Sequence, residues 1–177
     1  MPNQDYIPKY IFSDYITWKG DWELIKGSPV SMSPSPKKKH QLTSGEIFKI
    51  FSNFFDKTAH KCNCNIYYEL DWKVEDDTVL RPDLMIVCDE KESDFVERTP
   101  SLIVEVLSAS TQLKDRNTKF SIYEQCGVAY YIMVNPDSEK IEIYQLIDNR
   151  YKEVKITAFE VAKNCVINVN LESIFSN

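Results

Sequence analysis

One run, Ser101-Leu102-Ile103-Val104-Glu105-Val106-Leu107, constrains this chain more than any other segment. Its β-branched and aliphatic residues describe a strand covered on both faces, as in the interior of a sheet with elements packed above and below. A carboxylate in its middle is cut off from water, and leaving it unpaired costs several kcal/mol. Glu105 therefore requires a cation, a shared proton or a metal ion, and the last two belong mostly to working sites. A second apolar run, Leu84-Met85-Ile86-Val87-Cys88, opens directly after Pro82-Asp83. If these two strands are neighbours, Asp83 and Glu105 come within reach of each other.

The chain of 177 residues fits a single domain, 1–177, with a core that needs no disulfides. No apolar stretch approaches the roughly 18 residues of a membrane span, and the start, Met1-Pro2-Asn3-Gln4-Asp5, lacks the basic-then-apolar order of a secretory signal. A cytoplasmic protein without membrane contact is expected. Its five cysteines are scattered and odd in number, which argues against a disulfide scaffold and for reduced thiols. The formal charge of −6 gives no global attraction to nucleic acid, so such a partner must be drawn by a local basic patch or through divalent metal.

Patterning places a short helix in the N-terminal segment, a turn near Lys26-Gly27, a short strand and then a Ser/Pro-rich loop. Ile47, Phe51, Phe54 and Phe55, broadened by Phe48, form the apolar stripe of the next helix. Strands are expected over 66–74, 84–88 and 101–107, then a helix capped by Ser108 to Thr111 and ended by Gly127, then a buried strand over 129–134. Alternation over 140–147 and 151–156 around Asp148-Asn149-Arg150 describes a hairpin at the antiparallel edge of the sheet. A shorter alternation, 166–169, and a final turn over 171–175 complete the chain. This order implies an α/β fold: a mixed central sheet flanked by helices, with an additional C-terminal hairpin.

Two carboxylates, a backbone carbonyl, phosphate oxygens and water make a hard oxygen site suited to Mg2+ or Mn2+. The alternative is a structural carboxylate at Glu105, with Asp83 a turn residue beside Pro82. In the following helix Asp115, Lys119 and Tyr123 recur every four residues and share a face. Lys119 can point to the strand ends and meet phosphate there, or form a plain helix pair with Asp115; Tyr123 suits packing on the sheet. His40, after Lys37-Lys38-Lys39, and Glu69 are auxiliary candidates, Glu46 a weaker one. His60, Cys62 and Cys64 alternate like zinc ligands, but a fourth ligand is missing. Trp72 and Tyr144 read as packing rather than as base-stacking groups.

Taken together these segments resemble the Uma-type restriction endonuclease family of the PD-(D/E)xK phosphodiesterase superfamily. The resemblance rests on Trp22-Glu23-Leu24-Ile25 with Gly27, Met32-Ser33-Pro34, His40, Arg81-Pro82-Asp83 and Glu105-Val106-Leu107-Ser108 with Ser110-Thr111. It continues through Asp115, Lys119, Tyr123, Gly127-Val128 and Val134-Asn135-Pro136. It implies a restriction-endonuclease-like core in which Asp83 and Glu105 hold Mg2+, or Mn2+, with the Val106 backbone carbonyl. The superfamily's lysine two residues after the second acid is replaced by Leu107, and Lys119 is the implied substitute; Tyr130, Ile132 and Asn135 also depart from the family's usual residues. The implied activity is hydrolysis of DNA phosphodiester bonds, with a homodimer favoured if cuts are paired. The rival is a catalytically silent nucleic-acid-binding or protein-interaction module on the same fold.

Overall fold

The computed structural model describes residues 8–32, 37–58 and 62–175. Residues 33–36 of the Ser/Pro-rich loop, and His60 of the zinc-like triplet, lie outside the described residues. A short helix α1 (Phe12–Tyr15) leads into strands β1 (Trp22–Ile25) and β2 (Ser28–Ser31). The turn at Lys26-Gly27 therefore joins two strands rather than preceding one. Gly27 has φ 77°, a conformation that the tight turn needs and that glycine adopts without strain.

Helix α2 (Lys38–Thr58) follows, then β3 (Cys64–Tyr68), β4 (Trp72–Glu75), β5 (Thr78–Leu80), β6 (Leu84–Cys88) and β7 (Leu102–Val106). The single strand expected over 66–74 is thus two strands in different sheets. The chain turns at Glu69, which takes φ 47° and donates its N–H to the Asp83 carbonyl at 3.1 Å. A π-helical turn, Lys114–Lys119, runs directly into α3 (Phe120–Gln125). Strands β8 (Tyr130–Asn135), β9 (Lys140–Ile147), β10 (Arg150–Val154), β11 (Ala158–Ala162) and β12 (Cys165–Asn168) follow, and a 3-10 turn, Leu171–Phe175, ends the described chain.

Six strands form the central sheet in the order β10-β9-β8-β7-β6-β3. Only the β7 and β8 pair is parallel, joined across one face by the π turn and α3. The β9–β10 hairpin forms one edge, as its alternation implies. Period-two alternation divides β7 between two cores. Leu102, Val104 and Val106 face Ile47 and Phe51 of α2 together with Phe159 and Ile167 of the small β11–β12 sheet. Ile103 belongs to the opposite core, with Tyr123, Tyr131, Met133 and Trp72, and Glu105 shares that side of the strand. A second sheet, in the order β2-β1-β5-β4, supplies Trp72 and Leu80 to this core and buries Leu24 and Val79 against Tyr15.

The cysteines correct the expectation of reduced thiols. Cys64 pairs with Cys88, its opposite residue across the β3 and β6 ladder, and Cys62 pairs with Cys165, leaving Cys126 free. Partners separated by 103 residues meet only after folding, so linear spacing carried no signal for that pair. The same pairing occupies both cysteines of the zinc-like triplet. Among the described residues no helix is long and apolar enough to cross a membrane.

Candidate active site

The antiparallel pairing of β6 with β7 sets Leu84 opposite Val104, and the residues at the ends of that register are Asp83 and Glu105. Asp83 Oδ2 accepts the Val106 N–H at 2.6 Å and lies 3.2 Å from His40 Nε2 at the start of α2. Glu105 Oε1 accepts two short bonds, from Lys119 Nζ at 2.7 Å and from Tyr123 OH at 2.8 Å. Its Oε2 has only a long contact, 3.4 Å from the Asp83 N–H. One oxygen of Glu105 is thus anchored while the other, on the Asp83 side, is nearly unengaged.

Asp83 and His40 line a cleft of about 660 Å3 whose walls also include Glu69, Arg81, Ser108 and Thr111, whereas Glu105 lies buried behind Asp83 and is not one of its walls. Glu69 enters through its turn and accepts from Gln41 Nε2 at 3.3 Å. Burial pulls against the charged form of His40, yet its pKa is raised. The hydrogen bond to Asp83, the charges of Asp83 and Glu69 and the Val106 carbonyl together outweigh burial. Its Nδ1 is buried and has no hydrogen-bond partner among the described residues. Arg81 braces the segment before Asp83 by bonding Asp71 at 2.7 Å and Asp21 at 2.8 Å, and Tyr15 OH donates to Asp71 at 2.8 Å.

Lys119 is not a wall of this cleft. It is 2% exposed, and its ammonium is held by Glu105 at 2.7 Å, Glu23 at 2.9 Å and Asp115 at 3.9 Å. A further donation runs to the Arg81 carbonyl at 3.4 Å. Of the two roles open to this lysine, contact with phosphate or a pair with Asp115, the structure shows its charge shared among three carboxylates, Asp115 included. Burial pushes Glu105 up to about 8, against the pull of Lys119, and the charges of Asp115 and Asp83 push the same way. Lys119 itself is raised despite burial, because three carboxylates surround it.

Glu23 was missed as a site residue, although it sits in the apolar strand Trp22-Glu23-Leu24-Ile25 and the reasoning applied to Glu105 applies equally to it. It is fully buried. Lys114 and Lys119 both reach it, at 2.5 and 2.9 Å, and their charges hold its carboxyl below the usual range against the opposing effect of burial. Residues five apart diverge on an α-helix of 3.6 residues per turn, but the wider π turn stacks them. That local unwinding lets two lysines of one helix grip a single carboxylate. Glu46, by contrast, pairs with Lys49 at 3.5 Å on the α2 surface and takes no part.

Among the described residues no group of three or more His, Cys, Asp or Glu side chains converges on a single point as a metal cage would.

Residues 12–168 match the family model described as "Uma2: Putative restriction endonuclease". The chain belongs to the Uma2 family. Two proteins of the cyanobacterium Synechocystis are similar to this Uma2 chain. "Uncharacterized protein slr1290" is 28% identical over 151 residues, covering 80% of this chain and 77% of its own length. "Uncharacterized protein sll1609" is 31% identical over 84 residues, 45% of this chain and 48% of its own length. A crystal structure described as "a putative nuclease belonging to DUF820" from Anabaena variabilis superposes with a TM-score of 0.72. That match covers 94% of this chain and 97% of the other at 14% identity, and it shows that the two share one fold, the mixed sheet with its flanking elements.

Proposed function

We propose that this Uma2 protein hydrolyses phosphodiester bonds of DNA in the cleft that Asp83 closes, using a divalent cation, Mg2+ or Mn2+. The observation that carries this reading is the placement of Asp83 opposite Glu105 on adjacent strands, with the Asp83 backbone N–H 3.4 Å from the otherwise unengaged Glu105 Oε2. Those two carboxylates and the Val106 carbonyl would hold the ion, which supplies an activated water and neutralises charge growing on the phosphate. Tyr123 and Lys119 fix Glu105 by its other oxygen, so Lys119 acts here as a positioning residue and charge partner rather than touching substrate. The Val106 N–H fixes Asp83, with His40 beside it as an auxiliary group, and Glu69 adds negative charge to the same wall. Paired cuts in a duplex would need two copies, hence a homodimer.

A silent binding module is the second reading, favoured by the burial of Lys119 away from the cleft and by the charge of −6. The test is single-turnover cleavage of labelled duplex and single-stranded DNA with Mg2+ or Mn2+, alongside calorimetric Mn2+ binding. Asp83→Asn should keep the fold, weaken Mn2+ binding and abolish cleavage. Absence of parental cleavage together with undiminished Mn2+ binding by Asp83→Asn would reject the hydrolytic reading.

A further inference from the structure

We infer that Trp22 is a stacking platform for one unpaired nucleobase, so that the cleft takes a single DNA strand rather than an intact duplex; this deepens, and rests on, the hydrolytic reading above. Glu105 is 3% exposed and the Asp83 side chain 17%, so a phosphate reaches Asp83 only by way of the cleft. At about 660 Å3 the cleft has the size of a small-molecule site. Such sites run to about 300–1,000 Å3. A base that stacks on a side chain inside the cleft has left its partner strand.

The wall beside that nucleotide carries Trp22 and Met32. An indole stacks on any base, because every base has a π face. The ring of Trp22 is held in place: Nε1 donates to the Lys19 carbonyl at 2.9 Å, and Trp18 meets it edge-on, 6.0 Å between centroids at 72°. Its backbone is tied to the acids as well. The Trp22 carbonyl accepts from Tyr15 OH at 3.0 Å, and the adjacent Glu23 accepts the Arg81 N–H at 3.0 Å, two residues before Asp83. Platform and acid therefore belong to one braced network. With a charge of −6 the chain lacks long-range attraction for DNA, which leaves short-range stacking, aided by Lys19 and Lys37 on the same cleft, to supply affinity.

The experiment is fluorescence anisotropy in EDTA, where hydrolysis does not proceed, with labelled single strands, the matching duplex, and single strands carrying one abasic nucleotide at successive positions. The parent should prefer the single strand, and one abasic position should weaken binding by about 5- to 150-fold. Trp22→Ala should lose the same factor on the intact strand and become insensitive to the abasic position, while Trp22→Phe keeps most of the affinity. Equal affinity for duplex, a flat abasic scan in the parent, or unchanged abasic sensitivity in Trp22→Ala would overturn the inference. The parental scan needs no variant to fold. Cleavage with Mg2+ alongside a flat scan would leave the nuclease standing and remove the platform. Abasic sensitivity without cleavage by any metal would do the reverse, and absence of both binding and cleavage would overturn both.

Discussion

Replacing Lys119 by Met takes an ammonium from among Glu105, Glu23 and Asp115 while leaving an apolar stem of similar shape. Burial already brings the neutral form of Glu105 within reach near neutral pH. Glu23 is the carboxylate that suffers: it is fully buried, and its charge depends on Lys119 and Lys114. Without Lys119 it keeps only Lys114 as a charge partner, and its alternative to staying charged in the core is to take a proton. For a carboxyl of ordinary pKa 4.5 that costs about 3.4 kcal/mol at pH 7, at about 1.36 kcal/mol per pH unit. The figure agrees with the ~3–5 kcal/mol lost when one partner of a buried ion pair is removed. At about 2–4 °C per kcal/mol for a chain of this size, the variant should melt about 7–14 °C below the parent. The proton becomes easier to acquire in acid, so the gap should narrow by about 2 kcal/mol between pH 7 and pH 5.5. Calorimetric melts of both proteins in EDTA at the two pH values read this directly. A drop under about 2 °C, or a gap that ignores pH, would refute the charge argument and leave only packing.

Three further outcomes are expected. Because the folded pKa of Glu105 is raised from 4.5 to about 8, the folded state keeps a proton that the unfolded state releases. Stability should therefore fall, on the order of a few kcal/mol, as pH rises through that window, and Glu105→Gln should flatten the slope of Tm against pH; a parental Tm that climbs across the window would contradict this. Tyr15→Phe removes the donor to Asp71 and to the Trp22 carbonyl, at about 1 kcal/mol in urea melts, and an unchanged midpoint would show that this bracing bond is idle. Thiol titration of the denatured, unreduced protein should count one thiol, Cys126, where five would disprove both disulfides.

Much of the central architecture was legible because it follows from short-range rules. Apolar runs gave β6 and β7, hydroxyl residues after Leu107 announced the helical crossover, and alternation gave the β9–β10 hairpin. Glu105 declared itself because desolvation makes a carboxylate in such a strand improbable without partners. What stayed hidden depended on tertiary contacts. The break at Glu69 uses a positive φ without glycine, held by the Asp83 carbonyl, so no local residue signalled that 66–74 would split between sheets. Glu23 escaped because its apolar run is only four residues long. Lys119 was recognised by its four-residue spacing from Asp115 and Tyr123, but spacing could not reveal that Glu23, from the second sheet, would claim the same ammonium.

The π turn at Lys114–Lys119 makes the length of this helix a stricter requirement than its composition. Many substitutions on its outer side change nothing that reaches Glu23. Deleting one residue to restore an ordinary α-helix would swing everything beyond the deletion by about 100° relative to what precedes it, and Lys114 and Lys119 would no longer meet on one carboxylate. Among relatives, gaps and insertions should accordingly cluster in the surface turns and avoid these few positions, even where the letters themselves drift.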